Sequence, residues 1–158
     1  MFSSQQFREV MAGYATGVAV ATAALPDGRR AGLTINSFTS VSLDPPLVLF
    51  CLEHKAAASA VFAEAEGFAV NILREGQENL SKAFAMRGQD EMRWQGLETE
   101  TWESGAPILP ETLASLDCRM EARHEAGDHV ILVGRVLRLE RRGGQPLVYW
   151  SSAYQKIG

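Results

Sequence analysis

The stretch LASLDCRMEARHEAGDHVILVGRVLRLE, Leu113 to Glu140, sets the fold class. Leu116, Cys118, Met120 and Ala122 are apolar, while Arg119, Glu121 and Arg123 between and after them are polar. That alternation has the period of a strand with one face in a core. EAGD then supplies turn-formers, and HVILVGRVLRLE returns as the antiparallel partner.

Working outward, PLVYW after Gly143-Gly144 reads as the last strand and FAVNIL as an earlier one. PLVLFCL is a continuous apolar run of strand length, expected to be buried on both faces, with Pro45 and Pro46 at its entry. GVAVATAA and RRAGLTIN flank LPDG, which predicts a hairpin with its tip near Asp27-Gly28. Helices are expected from Ser4 to Tyr14, over KAAASAVFAEAEG up to Gly67, and over GQENLSKAFAMR. From Gly88 to Pro110 the periodicity dissolves, predicting a long excursion with a short strand near Glu98 to Thr101. Six or seven antiparallel strands with helices between them give a mainly β fold with inserted helices, a barrel rather than a βαβ sheet.

The 158 residues suit a single domain, 1–158, and 46% hydrophobic with 22% charged residues is an ordinary globular balance. A net charge of −4 without basic blocks argues against nucleic-acid binding, which depends on cations displacing counterions from phosphates. No apolar run is long enough for a membrane helix, and MFSSQQFREV lacks a secretory layout. Cys51 and Cys118 are far apart and form no CxxC, so reduced thiols and a cytoplasmic protein are expected.

The familiar catalytic signatures are missing. There is no GxGxxG after a strand, no GxxxxGK[ST] and no GxSxG. His124 and His129 flank a turn at a spacing that suits no metal, and His54 stands apart, so no metal site is expected. An enzyme with this sequence would draw its reactivity from a cofactor.

One stretch asks for a ligand. LTINSFTSVSLDPPLVLFCLEHK, Leu33 to Lys55, sets Thr34, Asn36, Ser37, Thr39, Ser40 and Ser42 beside a core strand. Buried hydroxyls need partners, and a bound polar molecule provides them. Strict alternation sends Thr34, Asn36, Ser40 and Ser42 to one side and Ser37 to the other. A ligand touching all of them therefore requires a break in the strand near Ser37.

In order, ATGVAVATA, GLTINSFTSVSLDPPLVLFCL, FAVNIL, GDHVILVGRV and PLVYW resemble the small flavin reductases, the reductase components of two-component flavin-dependent monooxygenases. The likeness runs from about Phe7 to Tyr154. It implies an antiparallel split β-barrel, a homodimer, FMN or FAD, and NADH or NADPH as hydride donor. It also implies a partner oxygenase supplied through diffusible reduced flavin. By the same resemblance, Thr34, Asn36, Ser37, Ser40, Val41 and Ser42 lie along the flavin ring and its chain. Cys51, Leu52, His54, Lys55 and Ser59 fall on the phosphate side, where an Ala-rich helix would add N-terminal amides. Family members commonly have Ser or Asn where this chain has Ala56, Ala57 and Ala58. Gly127, Asp128, His129 and Tyr154 match the nicotinamide side, with His129 positioning the nicotinamide rather than moving a proton. Two other readings of the barrel are a tightly FMN-bound oxidase or ferric reductase, and a non-catalytic flavin-binding module.

Overall fold

The computed structural model describes residues 1–88 and 91–158. Helix α1, Ser4–Met11, starts in a capping box: the Ser3 hydroxyl accepts from Gln6 N–H, and the Gln6 side chain accepts from Ser3 N–H. It stops at Met11 rather than Tyr14 and buries none of its residues. After the short β1, Thr16–Gly17, the hairpin of β2, Ala19–Ala24, and β3, Arg30–Ile35, forms as expected. Gly28 takes a φ of 94° at its tip, and the Asp27 carboxylate accepts from Arg29 N–H.

Strands β4, Thr39–Leu43, and β5, Pro46–Glu53, make a second hairpin that turns through a cis Asp44-Pro45 bond. The expectation that β5 is buried on both faces is corrected. Val48, Phe50 and Leu52 point inward, while Leu47, Leu49 and Cys51 remain half-buried. Apolar residues on the outer face hid the alternation that an antiparallel strand keeps.

The Ala-rich helix is also shorter than expected. Helix α2 spans only Ser59–Glu64, because Lys55 to Ala58 are taken up in turns leaving β5. Strand β6, Gly67–Ile72, follows at once. A side chain at Gly67 would collide with the Cys118 carbonyl, so glycine here serves strand contact rather than a helix end. Helix α3, Glu78–Ala85, precedes a short 3-10 turn, Met92–Trp94. The excursion holds β7, Glu100–Thr101, and also an unforeseen partner, β8, Pro107–Ile108.

Strands β9, Ala114–Ala126, and β10, His129–Arg141, form the long hairpin. Its two-residue loop, Gly127-Asp128, has φ 62° at Gly127, a conformation that glycine adopts without strain. PLVYW contributes β11, Val148–Trp150, which joins β1 and an unforeseen β12, Ala153–Gln155, rather than the main sheet.

The main sheet has seven strands in the order β3-β2-β6-β9-β10-β5-β4, every pair antiparallel. Its core centres on Phe50, whose ring meets Phe62 and Phe68 edge-on at 5.7 and 5.0 Å. A second cluster joins Val18, Val20 and Leu73 to Phe84, Trp94, Leu109 and Leu147. The outer strands β3 and β4 are linked by residues 36–38 alone, outside any strand.

Candidate functional site

The strand break required by the hydroxyl-rich stretch is present. Strand β3 ends at Ile35 and β4 begins at Thr39, so Asn36, Ser37 and Phe38 leave the pleat between them. The Ser37 hydroxyl turns toward β5, accepting from Cys51 N–H at 2.9 Å and reaching the Cys51 carbonyl at 3.3 Å. It thus completes the ladder that β4 would otherwise supply.

Two adjoining hollows open at the break. A cleft of 690 Å³ has apolar walls from Val18, Ala19, Ile35, Phe38 and Ile72. Its polar edge comes from Thr16, Asn36, Ser37 and Thr39, and Met11 and Tyr14 flank it. The Thr16 hydroxyl is buried there with no hydrogen-bond partner among the described residues. A niche of 210 Å³ shares Val18, Ile35 and Asn36 with the cleft and adds Thr34, Ser81, Ala85, Tyr149 and Tyr154. The Thr34 hydroxyl donates to the Ser81 carbonyl at 2.6 Å, and the Ser81 hydroxyl bonds the Tyr154 phenol at 2.7 Å.

A second group of the expected residues gathers at the tip of the long hairpin. Register pairs His129 with Glu53 on β5, which places His54 beside Asp128. His54 N–H donates to the Asp128 carbonyl at 3.0 Å, and His54 Nε2 lies 2.7 Å from a Glu125 carboxylate oxygen. His129 Nδ1 lies 2.7 Å from the Asp128 carboxylate. The His129 ring holds the Asp128 carboxyl below its ordinary pKa of 3.8, first by that hydrogen bond and then by its charge.

The expected residues thus divide. Thr34, Asn36, Ser37 and Tyr154 line the clefts, while His54, Gly127, Asp128 and His129 cluster at the hairpin tip, with Lys55 next in the chain. Ser37 is bonded to Cys51, three residues before His54 in the chain. Ser40, Val41 and Ser42 lie on β4, where Val41 forms a bulge, and none lines either cleft. Leu52 is sealed in the core at 1% exposure, so its side chain meets no ligand. Ser59 spends its hydroxyl hydrogen on the His54 carbonyl. The amides of Ala56 and Ser59 already donate to the Glu53 and Ala56 carbonyls. Thr16, Ser81 and Tyr149 were missed by sequence reasoning. Ser81 left a usable trace, a serine three residues before Phe84 on the inward face of an amphipathic helix.

The chain matches the family model of the flavin reductase like domain over residues 11–158. It belongs to that family.

A relative from Agrobacterium fabrum, named FMN reductase (NADH) SmoA, is 42% identical over 157 residues, covering 98% of this chain and 87% of that protein. HsaB of Rhodococcus jostii, named a flavin-dependent monooxygenase reductase subunit, is 36% identical over 154 residues, 97% of this chain and 77% of that protein. Among solved structures, the Streptomyces globisporus NADH:FAD oxidoreductase SgcE6 in complex with NAD and FAD fragments superposes with a TM-score of 0.90. It is 33% identical, over 98% of this chain and 92% of that one. The cleft of this flavin reductase-like chain fits a flavin on its own chemistry. Apolar walls suit an aromatic ring, and the Thr16 hydroxyl, unpartnered among the described residues, with the Asn36 amide suits a ring edge of carbonyls and N–H groups.

Proposed function

We propose that this chain is an NADH-dependent flavin reductase that binds FMN or FAD in the cleft at the β3–β4 break and supplies reduced flavin to a separate oxygenase. The observation that carries this reading is the break itself. Residues 36–38 leave the sheet and open an apolar cleft with a polar rim in a chain of the flavin reductase like family.

A bound flavin supplies the hydride acceptor, so the protein needs neither a nucleophile nor a strong base. Its own residues bind, orient and exclude water. Val18, Ile35 and Phe38 would hold the ring, and Thr16, Asn36 and Thr39 would meet its polar edge. Two stacked rings react when held about 3–3.5 Å apart, and rigid walls on strands supply that positioning. The hairpin tip meets the dinucleotide, with Asp128 fixing the ring of His129 as a positioning residue. Lys55, next to His54, offers a cation to a phosphate.

Exposed Val41 and Leu43 on the outer strand β4, with Leu139 on β10, support a homodimer as the working form. Cys51 and Cys118 are both free thiols, in keeping with a cytoplasmic, single-domain enzyme. No helix among the described residues is long and apolar enough to cross a membrane.

Initial rates of NADH and NADPH oxidation with FMN, FAD and riboflavin test the reading and set both preferences. Yellow flavin that co-elutes on gel filtration without exchanging would instead assign a resident cofactor. Absence of flavin-dependent oxidation with every pairing would end the proposal.

A further inference from the structure

The small niche beside the cleft is built around two hydroxyls that share one hydrogen bond, and counting their hydrogens shows what it offers a ligand. Ser81 Oγ and the Tyr154 phenol lie 2.7 Å apart, and either could donate. They carry two hydrogens between them and spend one on each other. Ser81 is only 1% exposed, so a spare hydrogen on its hydroxyl would be buried without a partner, at a cost. Tyr154 is only half-buried and lines the niche. Ser81 therefore donates to Tyr154, and the phenol hydrogen is left to point at a ligand. Thr34 has the opposite character. Its hydrogen goes to the Ser81 carbonyl at 2.6 Å, so its oxygen is left as an acceptor on a residue that lines the niche.

We infer that this niche reads a planar amide edge, a carbonyl beside an N–H, with Tyr154 donating to the carbonyl, Thr34 accepting from the N–H, and Ser81 acting as the positioning residue for both. The inference rests on the flavin reductase reading, in which two molecules carry such an edge: the carboxamide of NADH and the dioxopyrimidine side of the flavin. At 210 Å³ the niche holds one ring edge, and its shared wall of Val18, Ile35 and Asn36 opens it to the larger cleft. Tyr149 props the Tyr154 ring edge-on at 5.5 Å, and the Lys82 ammonium sits 5.8 Å from that ring's centre, so the phenol is held from two sides.

The test compares wild type with Tyr154→Phe and Ser81→Ala. KM for NADH and for FMN, and the Kd of each from binding titrations with oxidised FMN and NAD+, are measured for all three. The rates are repeated with the acetylpyridine analogue of NADH, whose methyl ketone keeps the carbonyl but lacks the amide N–H. Loss of one hydrogen bond to the ligand should raise one KM on the order of tenfold with a smaller change in kcat. If the edge read is the carboxamide, KM for NADH and for the analogue rise together in both variants, because the carbonyl that Tyr154 reads is common to the two, while the wild type's preference for NADH reports Thr34 reading the N–H. If it is the flavin edge, KM for FMN rises while KM for NADH and for the analogue stays at the wild-type value. Either result supports the niche and names its source. A merely structural role for Ser81 would lower the melting temperature without raising one KM selectively. Should Ser81→Ala fail to fold, Tyr154→Phe alone decides. KM and Kd values all within twofold of wild type in the folded variants would overturn the inference. A wild type that binds through the niche but turns nothing over would overturn the flavin reductase reading and leave the niche standing. A wild type that binds neither molecule overturns both.

Discussion

The Ser37 hydroxyl caps the Cys51 peptide from both sides, accepting its N–H at 2.9 Å and reaching its carbonyl at 3.3 Å. A side chain thus takes the place of a missing strand residue at the point where the chain breaks to form the cleft. Ser37→Ala would leave the Cys51 N–H unpartnered at about 1–2 kcal/mol, measured as the loss in unfolding free energy in urea. The same variant should raise KM for flavin, because the cleft wall at Asn36 and Phe38 depends on that anchor. A variant as stable as wild type, with unchanged KM, would show that the bond carries nothing.

Gly32 is required by close contact rather than by backbone conformation. A β-carbon there would sit 2.6 Å from the Phe84 ring and 3.3 Å from Trp94. The two rings meet edge-on at 5.0 Å and cannot both retreat from the second core cluster. Gly32→Ala should destabilise the fold by about 1–3 kcal/mol, read by thermal or denaturant unfolding.

The two thiols should differ sharply in reactivity. Cys118 has no exposed surface, and burial, with a smaller contribution from neighbouring Asp117, pushes its thiol up to about 12. Cys51 is half-buried on β5. Iodoacetamide at pH 8 followed by mass spectrometry should label Cys51 in the native protein and Cys118 only after unfolding. Comparable labelling of Cys118 in the native state would place it elsewhere.

Asp128 carries a pH signature. Its carboxyl is held below 3.8 in the folded chain by the His129 hydrogen bond, so its contribution is complete above that value and fades as pH falls through and below it. The melting-temperature difference between wild type and Asp128→Asn should therefore be present at pH 6 and vanish in acid. A difference that grows as the pH drops would contradict the pairing.

The β hairpins were legible because alternation and turn chemistry are local. The long β9–β10 hairpin and the tip at Asp27-Gly28 needed no tertiary information. The break at Ser37 was legible too, since alternation alone could not bring Ser37 and Thr34 to one ligand. The length of α2 was not, because alanine propensity says nothing of the turn that ends β5 at Glu53 or of the contact Gly67 makes with Cys118. Half of the site was out of reach for a similar reason. Thr16, Ser81 and Tyr149 reach the two hollows from β1, α3 and β11, elements far apart in the chain, and β1 itself carries too few residues to show a period.

The most direct test of the central claim is anaerobic mixing of the purified protein with NADH and excess FMN, followed at the NADH and flavin absorbance bands together. The account predicts loss of both bands in equal molar amounts, continuing through many turnovers of enzyme, and sharply slowed when Asn36 at the junction of cleft and niche is changed to a bulky residue such as Trp. Loss of the bands no faster than in a protein-free mixture would contradict it.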